Sequence, residues 1–160
     1  MQDLPKPLKL LVVDDIPQIG LIVKAMASRV SGFNFAVTHC TSPEDAIAEL
    51  KRESFDIVFS DFRMPSIDGL QVLTQALASN PRSRRVLMTG FNEIPAEAER
   101  MKAAQVDAYV LKPFPTSEML ELLRVLASND AERLERHRAA SRTFESQSEG
   151  AELMIEEATL

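Results

Sequence analysis

The chain of 160 residues is poor in several things that chemistry often requires: one cysteine, two histidines, no tryptophan and only five glycines. With Cys40 alone there is no intrachain disulfide framework and no cysteine-based zinc site, so a reducing compartment, the cytoplasm, is expected. His39 and His137 stand far apart, with no Cys or Glu at ligand spacing, and are assigned no chemistry. Basic residues are the minority charge, 18 against 24 acidic, for a net charge of −6; a polyanion binder relying on many Lys/Arg contacts to phosphate is disfavoured. The opening stretch MQDLPKPLKLLVV has no apolar segment as long as a signal peptide's, and no later run approaches a membrane span, so neither targeting nor membrane insertion is expected. What is present is the balance of a folded globule, 45% hydrophobic and 26% charged residues at a length suited to one domain with an appendage.

Short apolar runs alternate with longer amphipathic stretches, the pattern of a parallel sheet covered by helices. Five rounds occur. Strands are predicted over Leu8 to Val13, Phe35 to His39, Phe55 to Ser60, Arg85 to Thr89 and Ala108 to Leu111. Helical spacing is kept by Ile19, Val23, Met26 and Val30, by Leu70, Leu73 and Leu77, and by Leu120, Leu123 and Ala127. Ser42-Pro43-Glu44 reads as a helix start: an N-cap, a proline at the first helical position and an acid near the positive end of the dipole. Asn80-Pro81, Pro95 and Pro113-Phe114-Pro115 interrupt regular structure. The predicted fold is α/β, a doubly wound (βα)5 sheet over residues 8–128, after an N-terminal tail (1–7). Residues 129–160 carry eight acids against four arginines, a net −4 of the total −6. This acidic extension is expected to be partly helical or disordered: the last helix is expected to continue through Glu132 and Arg136 to about Arg142, and AELMIEEATL either docks as a short helix or stays unstructured.

In open α/β sheets ligands bind beyond the carboxyl ends of the strands. Here those ends are Asp14-Asp15, Asp61, Thr89-Gly90 and Lys112-Pro113, which puts three carboxylates, a hydroxyl and an ammonium on one rim. Three carboxylates a few ångströms apart do not all stay ionised near neutral pH without a cation, and a hard divalent ion such as Mg²⁺ accepts oxygen ligands from one or two of them. A remaining carboxylate is free to act as a nucleophile toward phosphorus, with Thr89 and Lys112 placed to contact phosphoryl oxygens. Each residue alone has a plainer reading: Asp15 as a helix N-cap, Asp61 as a solvated strand end, Thr89 as a loop polar group, Lys112 as surface charge, Tyr109 as half-buried packing.

LLVVDD, SDFRMPSIDGL, VLMTGF and DAYVLKPF, in this order and spacing, resemble the receiver domain of two-component response regulators, over roughly Leu8 to Ser128. The resemblance implies a flavodoxin-like sheet of order 2-1-3-4-5. It also implies Asp61 as phosphoacceptor and Mg²⁺ as cofactor, held by Asp15, Asp61 and the backbone carbonyl of Arg63 with Asp14 assisting through water. Thr89 and Lys112 would contact the phosphoryl group, and Tyr109 would swing inward as Thr89 moves. The donor implied is a histidine kinase or histidine phosphotransfer protein. One departure stands out. Gln105 replaces the usual glycine before the fifth strand, so that turn is expected to be capped differently. Met64 to Gly69 reads as a turn before a helix, with Pro65 restricting the backbone and Gly69 freeing it.

A haloacid dehalogenase-type phosphatase also uses Asp, Thr and Lys around Mg²⁺, but its nucleophile lies in a DxD element after the first strand, and VVDDI is not DxD. The chain is therefore expected not to be an enzyme beyond its own phosphorylation and dephosphorylation. Residues 129–160 do not suffice for a basic three-helix DNA reader, so no DNA contact is expected. Output is expected through the face of the fourth helix, fifth strand and fifth helix, toward a protein target or a second copy. The alternatives are a phosphorelay shuttle to another histidine, or the receiver part of a longer regulator with Ala131 to Arg142 as connector. Cys40 is read as a small buried filler and Arg82, Arg84 and Arg85 as a solvated loop. The resemblance places Arg63 and Phe91 where phosphoryl lifetime is tuned; if they hinder water, Arg63→Ala and Phe91→Ala lose the phosphoryl group faster than wild type in a dephosphorylation time course, and unchanged or slower loss refutes it.

Overall fold

The computed structural model describes residues 6–90, 95–128, 132, 135 and 136. Five parallel strands form one sheet of order β2-β1-β3-β4-β5: β1 (Leu8–Val13), β2 (Phe35–Cys40), β3 (Ile57–Asp61), β4 (Arg84–Thr89) and β5 (Ala108–Leu111). The helices are α1 (Pro17–Ala27), α2 (Pro43–Arg52), α3 (Gly69–Ser79), α4 (Ala98–Ala103), which follows a 3₁₀ turn over Pro95–Glu97, and α5 (Thr116–Ser128). Side chains alternate across the strands. Leu10, Val12, Phe59 and Met88 face the layer of α1 and α5, while Leu11, Val13, Val58 and Leu87 face that of α2, α3 and α4. Every residue of β3 is buried, as a central strand covered on both faces requires.

Local signals match their elements. Ser42 is the N-cap of α2 and its hydroxyl accepts from the Asp45 amide at 3.1 Å, with Pro43 at the first helical position. Asp68 and Gln71 close a capping box at the start of α3. On α5 the buried face is Met119, Leu122, Leu123, Val125 and Leu126; Leu120 only flanks the core, so the expected stripe is displaced toward its neighbours. Glu132, Glu135 and Arg136 are helical and exposed. Phe91, His137 and the closing segment lie outside the described residues.

The arginine cluster needs correction. Arg84 and Arg85 begin β4 rather than a loop, and Arg85 is only 3% exposed. Its guanidinium donates to the carbonyls of Ser83, Ala104 and Gln105 and to the Ser83 hydroxyl, while its backbone amide donates to Asp107 Oδ2 at 2.8 Å. A buried charge with this many acceptors is satisfied. Gln105 itself adopts the left-handed backbone of the missing glycine (φ 49°), and its carbonyl is one of Arg85's acceptors. In the turn before α3 the left-handed residue is Ser66 (φ 69°), not Gly69.

Cys40 ends β2 and is buried, as expected of a filler. Burial, with the charges of Glu49 and Asp45 adding, pushes its thiol up to about 11. The reactive thiolate is then scarcer at pH 8 by about a hundredfold than for an ordinary thiol. Iodoacetamide should modify Cys40 slowly in the native chain and rapidly in urea; equal rates would refute the burial.

Candidate functional site

Parallel strands in register end at one edge, and the residues that end β3 and β4 or follow β1 and β5 meet there. Asp14 is fully buried; its Oδ1 accepts from the Ile16 amide at 2.9 Å and its Oδ2 from Lys112 Nζ at 2.5 Å. Lys112 also donates to Asp61 Oδ1 at 3.0 Å. One ammonium thus joins the carboxyl ends of three strands. Carboxylate oxygens of Asp14, Asp15 and Asp61 lie within 4.8 Å of one another, with Asp15 exposed and Asp61 9% exposed. Asp15 does not cap α1: the N-cap is Ile16, with extended backbone and no side-chain bond.

The electrostatics follow from burial and proximity. Asp61 is held above the usual carboxylate range, chiefly by burial and further by Asp14 and Asp15, while its bond to Lys112 works against the rise. Burial pulls Lys112 down, but its bonds to Asp14 and Asp61 outweigh that and leave it raised, so it stays an ammonium. Both oxygens of Asp14 are engaged. The acidic oxygens nearest to solvent are those of Asp15 and Asp61, hard donors suited to Mg²⁺, and Asp14 fits a supporting place behind them.

Asp61 is positioned from behind by glycine. A Cβ on Gly69 would lie 2.0 Å from the Asp61 carbonyl oxygen, and the Gly69 amide donates to the Phe62 carbonyl at 2.8 Å. Close approach, not backbone freedom, demands glycine at this helix start. The loop between them carries Arg63, whose guanidinium carbon stands 5.8 Å from the centroid of the Phe62 ring. Thr89 is 1% exposed at the end of β4, where its hydroxyl donates to the Gly90 carbonyl at 3.3 Å. Lys112 follows β5, its amide donating to the Thr89 carbonyl at 2.8 Å, and precedes a cis bond to Pro113. Tyr109 packs on the α2/α3/α4 layer with its hydroxyl oxygen buried, an inward position. The structure therefore gathers Asp14, Asp15, Asp61, Thr89 and Lys112 at one rim, with Arg63 beside Asp61 and Tyr109 one layer behind. Missing from the sequence reading was the Asp68–Arg100 ion pair at the outer end of this loop, which joins residues 32 apart with no spacing signal.

A family profile described as "Response regulator receiver domain" matches residues 10–124. The chain is 34% identical over 114 residues to the transcriptional regulatory protein ZraR of Salmonella typhimurium, covering 71% of this chain and 25% of that protein. It is 30% identical over 131 residues to the C4-dicarboxylate transport transcriptional regulatory protein DctD of Rhizobium meliloti (82% and 28%), and 34% identical over 121 residues to the probable transcriptional regulatory protein TcrX of Mycobacterium tuberculosis (76% and 50%). The chain thus spans a quarter to a half of these relatives. Among solved structures, chemotaxis response regulator CheY4 of Vibrio cholerae superposes with a TM-score of 0.65 at 22% identity, covering 76% of this chain and 99% of that one. The BeF3-activated DrrB receiver domain gives 0.67 at 22%, covering 77% and 99%.

Because the Gly69 site admits no Cβ, Gly69→Ala should displace the Asp61 carbonyl and cost about 1–3 kcal/mol of stability. A urea titration with an unshifted midpoint would contradict this contact.

Proposed function

This chain belongs to the response regulator receiver family, and from that premise we propose that it is a phosphorylation-dependent switch whose phosphoacceptor is Asp61. The observation that carries the reading is the Lys112 ammonium bound to both Asp14 and Asp61 at the rim where Asp15 and Thr89 also end their strands. A carboxylate oxygen of Asp61 attacks the phosphorus of a phosphohistidine on a kinase or phosphotransfer protein. The O–P bond forms as the N–P bond breaks, and the imidazole leaves with the electron pair and takes up a proton. Asp15, Asp61 and the Arg63 carbonyl, with Asp14 behind them, would hold Mg²⁺, which would neutralise charge on the phosphoryl oxygens when bound. Lys112, already at the Asp61 oxygen, neutralises another phosphoryl oxygen and in doing so exchanges one anionic partner for another.

Thr89 reports the new group. Its hydroxyl donates to Gly90 in this structure and is placed to turn to a phosphoryl oxygen instead. A shift at the end of β4 is passed on to α4, and the Tyr109 hydroxyl is already buried on β5. The output is then a change in the α4, β5 and α5 face, read by a protein target or a second copy. Water hydrolyses the acyl phosphate and resets the switch, and turnover of other substrates is not part of this reading. Arg63, stacked beside Phe62 at the mouth, supports a role in slowing that water. A second reading is favoured by the curated relatives: they are transcriptional regulators of which this chain matches only a quarter to a half, which suits a receiver that works within a longer regulator.

With Mg²⁺ and acetyl phosphate as donor, the wild type should gain one phosphoryl group by intact mass, labile to hydroxylamine, while Asp61→Asn gains none. Lys112→Ala should react slower by about tenfold or more. Label acquired equally by Asp61→Asn would place the chemistry elsewhere.

A further inference from the structure

The fourth helix is held unlike the others. Ala98–Ala103 contains no buried residue, whereas each of the other helices buries at least three. Among the described residues its apolar attachment is confined to the half-buried Met101 and to Ala104 just beyond its end. At that end Arg85 donates to the carbonyls of Ala104 and Gln105. In its middle Arg100 reaches across to α3: Nη2 lies 2.6 Å from Asp68 Oδ2, and Nη1 lies 2.9 Å from Glu97 Oε2 within the same segment.

Asp68 is the outer anchor of loop 62–68, which follows Asp61 directly. Its other oxygen, Oδ1, accepts from the Gln71 amide at 3.0 Å and starts α3. The next residue is Gly69, pressed against the Asp61 carbonyl. On the opposite side the Ser66 hydroxyl donates to Glu44 at the start of α2. The loop bearing the Arg63 carbonyl is therefore strapped from both flanks, once to a helix well seated in the core and once to α4.

We infer that the Asp68–Arg100 ion pair is a positioning tether that holds loop 62–68 in place to receive the divalent cation and couples that loop to α4. The inference rests on the receiver reading of the site, which supplies the cation. Because α4 has little apolar seating, a polar bond at its middle carries a larger share of its placement than such a pair carries on a buried helix. The pair is partly exposed, 46% and 29% at the two side chains, so its effect is modest and sensitive to salt.

The test is a double-mutant cycle read by Mg²⁺ binding, followed by amide chemical shifts during titration of the full chain. Asp68→Asn keeps a good N-cap and removes the charge, and Arg100→Gln removes the other partner. Each single variant should weaken Mg²⁺ binding about two- to fourfold at low salt, the double variant no further, and the difference should fade in about 1 M KCl. Arg100→Lys should recover part of the loss. Unchanged binding in both single variants, additive losses, or a loss that persists at high salt overturns the tether. Hydrogen exchange of the metal-free chain separates this inference from the receiver reading. Arg100→Gln should speed exchange in both 62–68 and α4, and exchange unchanged in either overturns the tether even where Asp61 is phosphorylated normally. If the wild type binds no Mg²⁺ yet shows tether-dependent exchange, the receiver reading and the metal-positioning role fall and the mechanical link stands.

Discussion

Three carboxylates drawn to one edge of a sheet repel one another, and the single Lys112 ammonium bound to Asp14 and Asp61 makes that gathering tolerable. It is a structural bond as much as a chemical one, since it crosslinks the carboxyl ends of β1, β3 and β5. Removing one partner of a buried pair leaves the other charge desolvated. The same ammonium is where a phosphoryl group would draw its counter-charge. A ligand that competes for Lys112 thus loosens a link between strands while it binds, and this ties occupancy of the rim to the rest of the sheet.

The two ends of the sheet are built on contrasting terms. At the amino ends of β4 and β5, Arg85 and Asp107 are both buried and bonded, and the Asp107 amide donates to the Arg85 carbonyl at 2.7 Å. That network is satisfied and fixed. At the carboxyl ends the charges are clustered around one lysine, with Asp15 open to solvent. The domain therefore has a closed polar lock beneath α4 and an electrostatically unfinished site above it. On the proposed switch reading, movement at the site would work against a firm base, which suits a helix that shifts without the sheet doing so.

Much of this was legible in the chain itself. The strands are apolar runs flanked by amphipathic stretches, and the site residues stand at or just past their carboxyl ends, so position alone points to Asp14, Asp15, Asp61, Thr89 and Lys112. Ser42 and Asn80-Pro81 were readable because capping and proline act locally. The errors have a common cause. Arg85 was read as solvated because charge predicts exposure until tertiary acceptors are known, and those acceptors come from residues 104 and 105, far along the chain. Gly69 was read as a source of backbone freedom, whereas what it provides is the absence of a Cβ against Asp61. Gln105 shows the reverse, a non-glycine residue held in a left-handed turn by the surrounding hydrogen bonds.

The order of the sheet bears on how the chain is made. β2, β1 and β3 are neighbours in space and the first three strands in sequence, so a nascent chain that has exposed residues up to Asp61 contains every strand of a contiguous half-sheet. Were those strands to pair before the rest, Asp14, Asp15 and Asp61 would already lie together. Lys112 arrives only with β5, some fifty residues later. In sequence order the acidic edge therefore precedes its own counter-ion, and an edge assembled before the fifth strand docks would depend on cations of the surrounding solution for the work that one lysine does in the finished domain.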